Sequence, residues 1–280
     1  LGEQPLANGL LSRWNQAVKT YPLTLVQCQH CRLVQLNYVV DRDELYRDYS
    51  YIPSISKTYM EHFDRLSDTL IKDLNLKPGD LVVDIGSNDG SLLKYFRRKG
   101  MQVIGVEPAE KIVEISEVPT FADYFDTRLA DDIRIQYGKA KLITATNVFA
   151  HIDDLHGFLE ALDTLLDGDG VFFAQFPDFR NLLKENQFDT IYHEHLSYFT
   201  LEPLHHLFAN SPFELFRVDS DQIHGGSMRI FVRRRTDVLG DFVSRVKVIK
   251  DSLLTYIEQE KRNGSKIVGF GAAAKGTVLL

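Results

Sequence analysis

Along residues 57–74 the apolar positions Tyr59, Met60, Phe63, Leu66, Leu70 and Leu74 recur every three to four residues, the spacing that lines one face of an α-helix. Lys77-Pro-Gly-Asp80 ends that run, and the pattern then changes period. Leu81-Val-Val climbs to Asp84, Gly86-Ser87-Asn88-Asp-Gly90 forms a compact loop, and apolar residues resume at helical spacing from Leu92. This predicts strand, tight turn and helix, with Gly86 and Gly90 allowing a ligand close to the backbone and free amides at the helix start. Gly100 stops the helix, and Met101–Val106 reads as a second strand closing on Glu107-Pro108. Pro119–Phe125 is predicted as a third short strand with Asp123 at its carboxyl end, and Lys141–Thr146 as a fourth running into Asn147 and His151. A helix over Asp154–Leu166, a turn at Asp167-Gly-Asp-Gly170 and a fifth strand over Val171–Gln175 complete the series. Strands alternating with helices indicate an α/β fold, a doubly wound and mostly parallel sheet that binds ligands at the carboxyl ends of its strands. Gly86, Glu107, Asp123 and Asn147 all fall at such ends.

The flanks follow other patterns. Residues 1–50, broken by Pro5, Gly9 and Pro22, read as a small irregular or β-ribbon module around Cys28-Gln-His-Cys31. Two thiolates two residues apart form half of a tetrahedral zinc site, and the other half would come from upstream. A tyrosine-rich stretch follows, with Tyr46, Tyr49, Tyr51 and Tyr59, suited equally to packing and to lining a pocket. Beyond the sheet, Met228–Val232 reads as a strand after His224-Gly225-Gly226, and Phe242–Arg262 as an amphipathic helix. Lys266–Phe270 then starts a strand whose glycine turn, with Lys275, suits a phosphate. The predicted divisions are 1–54, 55–236 and 237–280.

Composition narrows the setting without changing the fold. The chain of 280 residues is 44% apolar and 25% charged, as expected of a globular protein, and no apolar run approaches the roughly 18 residues of a membrane span. No signal peptide is visible, so the expected compartment is the cytoplasm. A net charge of -7 argues against nucleic acid as a partner, because phosphate binding needs a concentrated basic face. Arg233-Arg-Arg235 is the one short basic cluster, and it reads as a solvated strand end. A start at Leu1 and a stop at Leu280 suggest truncation at both ends, and the sequence leaves monomer and homodimer equally open.

The glycine turn discriminates between nucleotides. A dinucleotide fold would carry Gly-x-Gly-x-x-Gly, its second glycine clearing room for a pyrophosphate. Here that position is Asn88, and Asp84 stands before the turn, where a carboxylate repels a pyrophosphate but attracts a cationic, amino-acid-bearing ligand. Glu107 ends the second strand, where this fold places a carboxylate for ribose hydroxyls. These features favour S-adenosylmethionine over NAD. Together, VVDIGSNDGSLL, GVEP, ADYF and ATNVFAHI make the chain resemble a class I S-adenosylmethionine-dependent methyltransferase. More narrowly, it resembles the C-methyltransferases of nucleotide-linked 4-keto-deoxysugars. Their zinc module, Tyr-x-Glu-His segment, His-Gly-Gly-Ser-x-Arg segment and C-terminal α/β domain match Cys28/Cys31, Tyr192-His-Glu-His195, His224–Arg229 and Gly269–Lys275.

The resemblance implies a Rossmann-like core with a zinc-ribbon-like N-terminal module, structural zinc and a nucleotide-sugar substrate. For donor binding it implies Asp84, Gly86, Ser87, Asn88, Gly90, Glu107, Asp123, Asn147 and His151; for the substrate, His224, Gly225, Gly226, Arg229 and Lys275. Tyr192 and His195 would face the sugar, with Glu194 in support. Methylation of a carbon beside a ketone needs a base near neutrality, and His195 is the natural candidate by intrinsic pKa. Other readings are O- or N-methylation of a small molecule, a nicotinamide-dependent oxidoreductase and a non-catalytic nucleotide-binding scaffold. An extended Tyr192–His195 segment would separate Tyr192 from His195, whereas a helical turn would bring them together.

Overall fold

The computed structural model describes residues 1–7, 13, 17–49, 52–236 and 238–266. The N-terminal segment holds β1 (Glu3–Pro5), β2 (Thr20–Pro22), β3 (Leu25–Gln27), β4 (Val34–Leu36) and α1 (Arg42–Tyr46). β1 pairs with β2, and β3 with β4 as a hairpin. Helix α2 (Lys57–Asp73) opens where the Ser56 hydroxyl accepts from the Tyr59 amide, and it buries Tyr59, Phe63, Leu66 and Leu70 along one stripe.

The alternating series is β5 (Leu81–Ile85), α3 (Ser91–Arg98), β6 (Gln102–Val106), α4 (Glu110–Val113), β7 (Thr120–Phe121), α5 (Thr127–Tyr137) and β8 (Ala140–Thr146). It continues through α6 (Leu155–Leu165), β9 (Leu166–Pro177), α7 (Phe179–Lys184), β10 (Ser197–Tyr198), α8 (Leu201–Ala209), β11 (Phe213–Asp221) and β12 (Ser227–Arg234). Aspartates cap four of the described helices: Asp41 accepts from Asp43 N at 2.9 Å, Asp126 from Leu129 N at 2.8 Å, Asp154 from Gly157 N at 2.9 Å and Asp178 from Arg180 N at 2.9 Å.

The main sheet runs β11-β12-β9-β8-β5-β6-β7. Pairings from β9 to β7 are parallel, and those of β12 with β9 and of β11 with β12 are antiparallel. A dinucleotide-binding sheet in its usual order of six parallel strands has no such inserted hairpin, so the topology departs from that of a nicotinamide enzyme. Strand order reverses between β5 and β8, which opens a crevice at their carboxyl ends.

Successive residues feed opposite apolar layers, as the pleat requires. Val83, Ile104, Ile143 and Phe172 face α5, α6 and α8, while Val82, Val103, Leu142 and Phe173 face α2 and α3. At the first layer's centre Phe149 is fully buried, with its ring 5.7 Å from Phe158, 5.7 Å from Phe172, 5.8 Å from Phe176 and 5.2 Å from Phe199.

The expected strands and the helix over 57–74 are present, with differences. The third strand keeps only Thr120–Phe121, so Asp123 lies just past its end. β9 begins at Leu166, because the Asp167–Gly170 turn is absorbed as an irregularity: Ala140 pairs with Leu166, but Leu142 pairs with Val171. The irregular N-terminal segment is tied to the core, since β10 extends the β3-β4 hairpin to three strands. Residues Leu1–Arg234 form one compact unit and Arg235–Leu280 another, of which α9 (Val238–Arg262) is the described helix. The strand predicted over Lys266–Phe270 and the turn after it lie, from residue 267 on and including Lys275, outside the described residues. No helix among the described residues is long and apolar enough to cross a membrane.

Truncating Phe149→Ala leaves a void among four aromatic rings, and we expect it to lower the unfolding free energy by about 3–5 kcal/mol. Urea unfolding should show a lower midpoint at unchanged slope.

Candidate functional site

The crevice at the β5/β8 reversal holds a cavity of about 470 Å³. Its floor is the loop after β5, where Gly86, Asn88 and Gly90 adopt φ of 65°, 51° and 75°. At Gly86 glycine is required twice over: by this φ and because an added Cβ would collide with the Val148 side chain. The end of β6 holds the loop in place. Gly86 N and Ser87 N donate to the Val106 carbonyl at 2.8 and 3.1 Å. The Glu107 carboxylate spans two amides, accepting from Asn88 N at 3.1 Å and from Ala109 N at 3.0 Å.

Both carboxylates of this floor are buried, Asp84 to 2% exposure and Glu107 to 5%. Burial pushes Asp84 up to about 7, against the Thr144 hydroxyl that donates to it at 2.6 Å, and the Glu107 charge adds to the rise. Burial also raises Glu107, partly offset by its two amide donors. Farther round, Asp123 and the exposed Asp126, Asp153 and Asp154 line the cavity, and Arg42 is the one lysine or arginine among its described lining residues. Such a site favours a cationic ligand.

Asn147 follows β8 with φ 58° and donates through Nδ2 to the Tyr59 hydroxyl at 2.8 Å, while its Oδ1 is sealed from solvent and has no hydrogen-bond partner. Asp123 accepts from Tyr124 N at 2.8 Å and pairs with Arg128 at 2.5 Å. Tyr124 is covered by the Arg42 guanidinium 4.2 Å from its ring centre, and its hydroxyl donates to the Arg42 carbonyl at 3.1 Å. Of the nine residues expected around a methyl donor, Asp84, Gly86, Ser87, Asn88, Glu107, Asp123, Asn147 and His151 line the cavity. Gly90 does not: it opens α3, and its φ rather than a ligand accounts for the glycine. An acceptor without a donor and an acidic wall fit the sulfonium and ammonium groups of S-adenosylmethionine.

The Tyr192–His195 segment forms a turn, with His195 N donating to the Tyr192 carbonyl at 3.1 Å, so the two side chains meet. His195 Nδ1 lies 2.8 Å from the Thr190 carbonyl, which only accepts, so the hydrogen is on Nδ1. Nε2 is then the lone-pair nitrogen, and the Tyr192 hydroxyl donates to it at 2.9 Å. Burial, with the Glu194 charge behind it, raises Tyr192 above the usual phenol range and keeps it a donor. His151 bridges this pair to the cavity: it lines the cavity, and its ring lies 5.1 Å from that of His195. Burial depresses His151 well below the usual imidazole range, and the His195 charge acts in the same direction.

Tyr46, not singled out beforehand as an individual site residue, stacks on His151 at 6.0 Å and 11° and donates to the Glu194 carbonyl at 3.4 Å. Together with Tyr49 and Tyr59, it places the tyrosine-rich stretch on the cavity wall; Tyr51 lies outside the described residues. The signal was the tyrosine density itself, without a period to say which ring faced inward.

Of the expected substrate residues, Gly225, Gly226 and Arg229 are described, and none of these three lines this cavity. Gly225 and Gly226 turn at φ 75° and 112°, and added Cβ atoms would strike the side-chain amides of Gln187 and Asn181. Their lack of side chains is therefore explained by the turn and these neighbours. Arg229 is engaged within the sheet, with Nε donating to Gln175 at 2.9 Å and Nη2 pairing with Asp221 at 2.7 Å. His224 belongs to the turn Ile223–Gly225, and its side chain is outside the described set.

Cys28 and Cys31 sit at the β3-β4 turn as free thiols. Backbone amides of Cys31 and His30 directed at Cys28 lower its pKa, as in a turn suited to thiolate. No cluster of three metal-ligating side chains forms among the described residues, so these two thiols do not make a closed zinc site.

A family model described as a methyltransferase domain matches residues 56–218. A putative zinc binding domain matches residues 1–46, and a C-methyltransferase C-terminal domain residues 234–280. C-methyltransferase NovU of Streptomyces niveus is 32% identical over an alignment of 308 positions that spans 100% of this chain and 73% of that protein. Sphingolipid C9-methyltransferase A of Emericella nidulans is 31% identical over 117, covering 38% of this chain and 23% of its own length. The structure of magnesium protoporphyrin IX methyltransferase from Synechocystis PCC 6803 with bound SAH overlaps 67% of this chain and 90% of its own at 18% identity, with a TM-score of 0.49.

Asp84 generates a pH prediction. Its folded pKa of about 7 exceeds the unfolded value near 4, so its contribution to stability is present below that window and lost as the pH rises through it. In the ligand-free protein, Asp84→Asn should remove a fall of about 4 kcal/mol between pH 4 and 7. Urea melts of both proteins across this range check it, and equal pH slopes would contradict it.

Proposed function

The chain belongs to the class I S-adenosylmethionine-dependent C-methyltransferases, and from that premise we propose that it methylates a carbon beside the ketone of a nucleotide-linked keto-deoxysugar. The observation that carries the reading is the Tyr192–His195 pair, its imidazole buried and its phenol half-buried beside the acidic cavity, with the imidazole hydrogen placed by Thr190. Carbon methylation beside a ketone needs a base for an acidic C–H and a donor for the oxygen that becomes negative. Methylation of an oxygen or nitrogen does not call for that combination.

S-adenosylmethionine, when bound, supplies an electrophilic methyl group. Asp84, Glu107, Asp123 and Asn147 would hold it, and Tyr46 and His151 connect that cavity wall to the base. His195 Nε2 takes the proton from the carbon next to the ketone, while Nδ1 stays on the Thr190 carbonyl and fixes the ring. Tyr192, displaced from Nε2, donates to the ketone oxygen as it becomes an enolate. Its raised pKa keeps that proton available throughout. His151, held uncharged by burial, adds no positive charge that would weaken the neighbouring base. The match of residues 234–280 to a C-methyltransferase C-terminal domain supports transfer to carbon. Support for structural zinc comes from the match to the zinc binding model, with the remaining two ligands supplied from outside the Cys28/Cys31 turn.

With a methyl-labelled donor and a panel of nucleotide-linked 4-keto-deoxysugars, NMR should place the label on a carbon adjacent to the carbonyl. His195→Asn should lower turnover by about 100-fold or more and leave S-adenosylhomocysteine affinity unchanged in calorimetry. Full turnover by the variant, or label on oxygen or nitrogen, would overturn the reading.

A further inference from the structure

His193 stands inside the segment that carries the base and takes no part in the chemistry above, yet it is only 1% exposed. Its side chain leaves the Tyr192–His195 pair and enters the N-terminal segment. There Nε2 lies 3.3 Å from the Tyr21 carbonyl oxygen on β2, and because a carbonyl only accepts, the imidazole N–H donates. The ring meets that of Tyr21 edge-on at 5.9 Å. The Tyr21 hydroxyl bonds to Glu44 of α1, the helix that ends with Tyr46. Tyr46 returns to the segment through its bond to the Glu194 carbonyl at 3.4 Å.

The segment from Ile191 to Leu196 has no helix or strand of its own. Its position depends on what it touches: Thr190 on one side, His193 to β2 and Tyr46 to Glu194 on the other, and Leu36 N bonding the Leu196 carbonyl at 2.9 Å. His193 provides a side-chain hydrogen bond that runs from the catalytic turn into β2, and it stands between Tyr192 and Glu194 in the chain.

We propose that His193 is a positioning residue, whose Nε2–H bond to the Tyr21 carbonyl ties the catalytic turn to the N-terminal segment and thereby sets the placement of Tyr192 and His195. A misplacement of about 1 Å in a reacting group can lower a rate by as much as 100-fold, so a tie of this kind has kinetic weight. The proposal rests on the Tyr192–His195 pair being the proton-transfer centre.

The test compares His193→Phe, which keeps a ring without the donor, with His193→Gln, whose side-chain amide can donate from a similar position. Two readouts need no acceptor: the ring 15N shifts of His195 in imidazole-labelled protein, and S-adenosylhomocysteine affinity by calorimetry. A third is turnover on the keto-deoxysugar panel. In His193→Phe we expect the His195 ring shifts to move and kcat to fall about tenfold, with donor KM and S-adenosylhomocysteine affinity unchanged. His193→Gln should restore both the shifts and kcat. Unmoved His195 shifts in the Phe variant, donor affinity falling in step with turnover, or a Gln variant as impaired as Phe would each overturn the proposal. If the wild type methylates none of the sugars, the substrate reading fails, and the ring shifts and affinity still decide the role of His193.

Discussion

The Glu107 carboxylate, spanning the amides of Asn88 and Ala109, is the contact on which the rest of the site depends. It joins the loop after the first core strand to the end of the second, and so keeps the cavity floor in one shape. Burying a carboxylate is costly unless donors meet it, and here the backbone supplies two. Asp84 lies beneath with a single hydroxyl donor and correspondingly shifts upward. Two carboxylates at the base of one cavity, with Asp123 on its wall, leave an excess of negative potential that a cationic methyl donor relieves. The same potential disfavours a pyrophosphate, in agreement with the antiparallel β11-β12 hairpin that sets this sheet apart from six parallel strands.

The reactive end of the site is built differently. Tyr192, Glu194 and His195 lie on a turn without regular structure, held by individual hydrogen bonds. Its neighbours Ser197–Tyr198 complete the sheet of the β3-β4 hairpin, so the N-terminal segment and the Tyr192–His195 turn lie in one compact unit. Arg42, Tyr46 and Tyr49 come from that segment and line the donor cavity. Residues from Val39 to Tyr49 are therefore part of the cavity wall rather than an appendage to it.

The core was legible because its signals are local: β5, its loop and α3 are contiguous, and Glu107 follows at the next strand end. What escaped notice depends on distant partners. α5 over Thr127–Tyr137 and the edge strand β11 have polar, one-sided patterns that sequence reading passed over, and β10 is a strand only because β4 lies beside it. Tyr46 reaches its place through stacking on His151, more than a hundred residues away along the chain. The adjacent glycines Gly225 and Gly226 suggested ligand approach, but the amides of Gln187 and Asn181 occupy that space. The meeting of Tyr192 and His195 hinged on whether their segment was extended or turned, a choice that one backbone hydrogen bond settles.

The account centres on removal of a proton from carbon by His195 with Tyr192, and hydrogen exchange isolates that step from methyl transfer. The protein would be incubated in D2O with S-adenosylhomocysteine in place of the methyl donor and a nucleotide-linked 4-keto-deoxysugar, and the hydrogens beside the ketone followed by NMR. The account predicts that the wild type replaces one of these hydrogens with deuterium faster than buffer alone and that His195→Asn does not. No enzyme-dependent exchange, with methyl transfer from S-adenosylmethionine to the same sugar intact and every hydrogen beside the ketone retained, would contradict it.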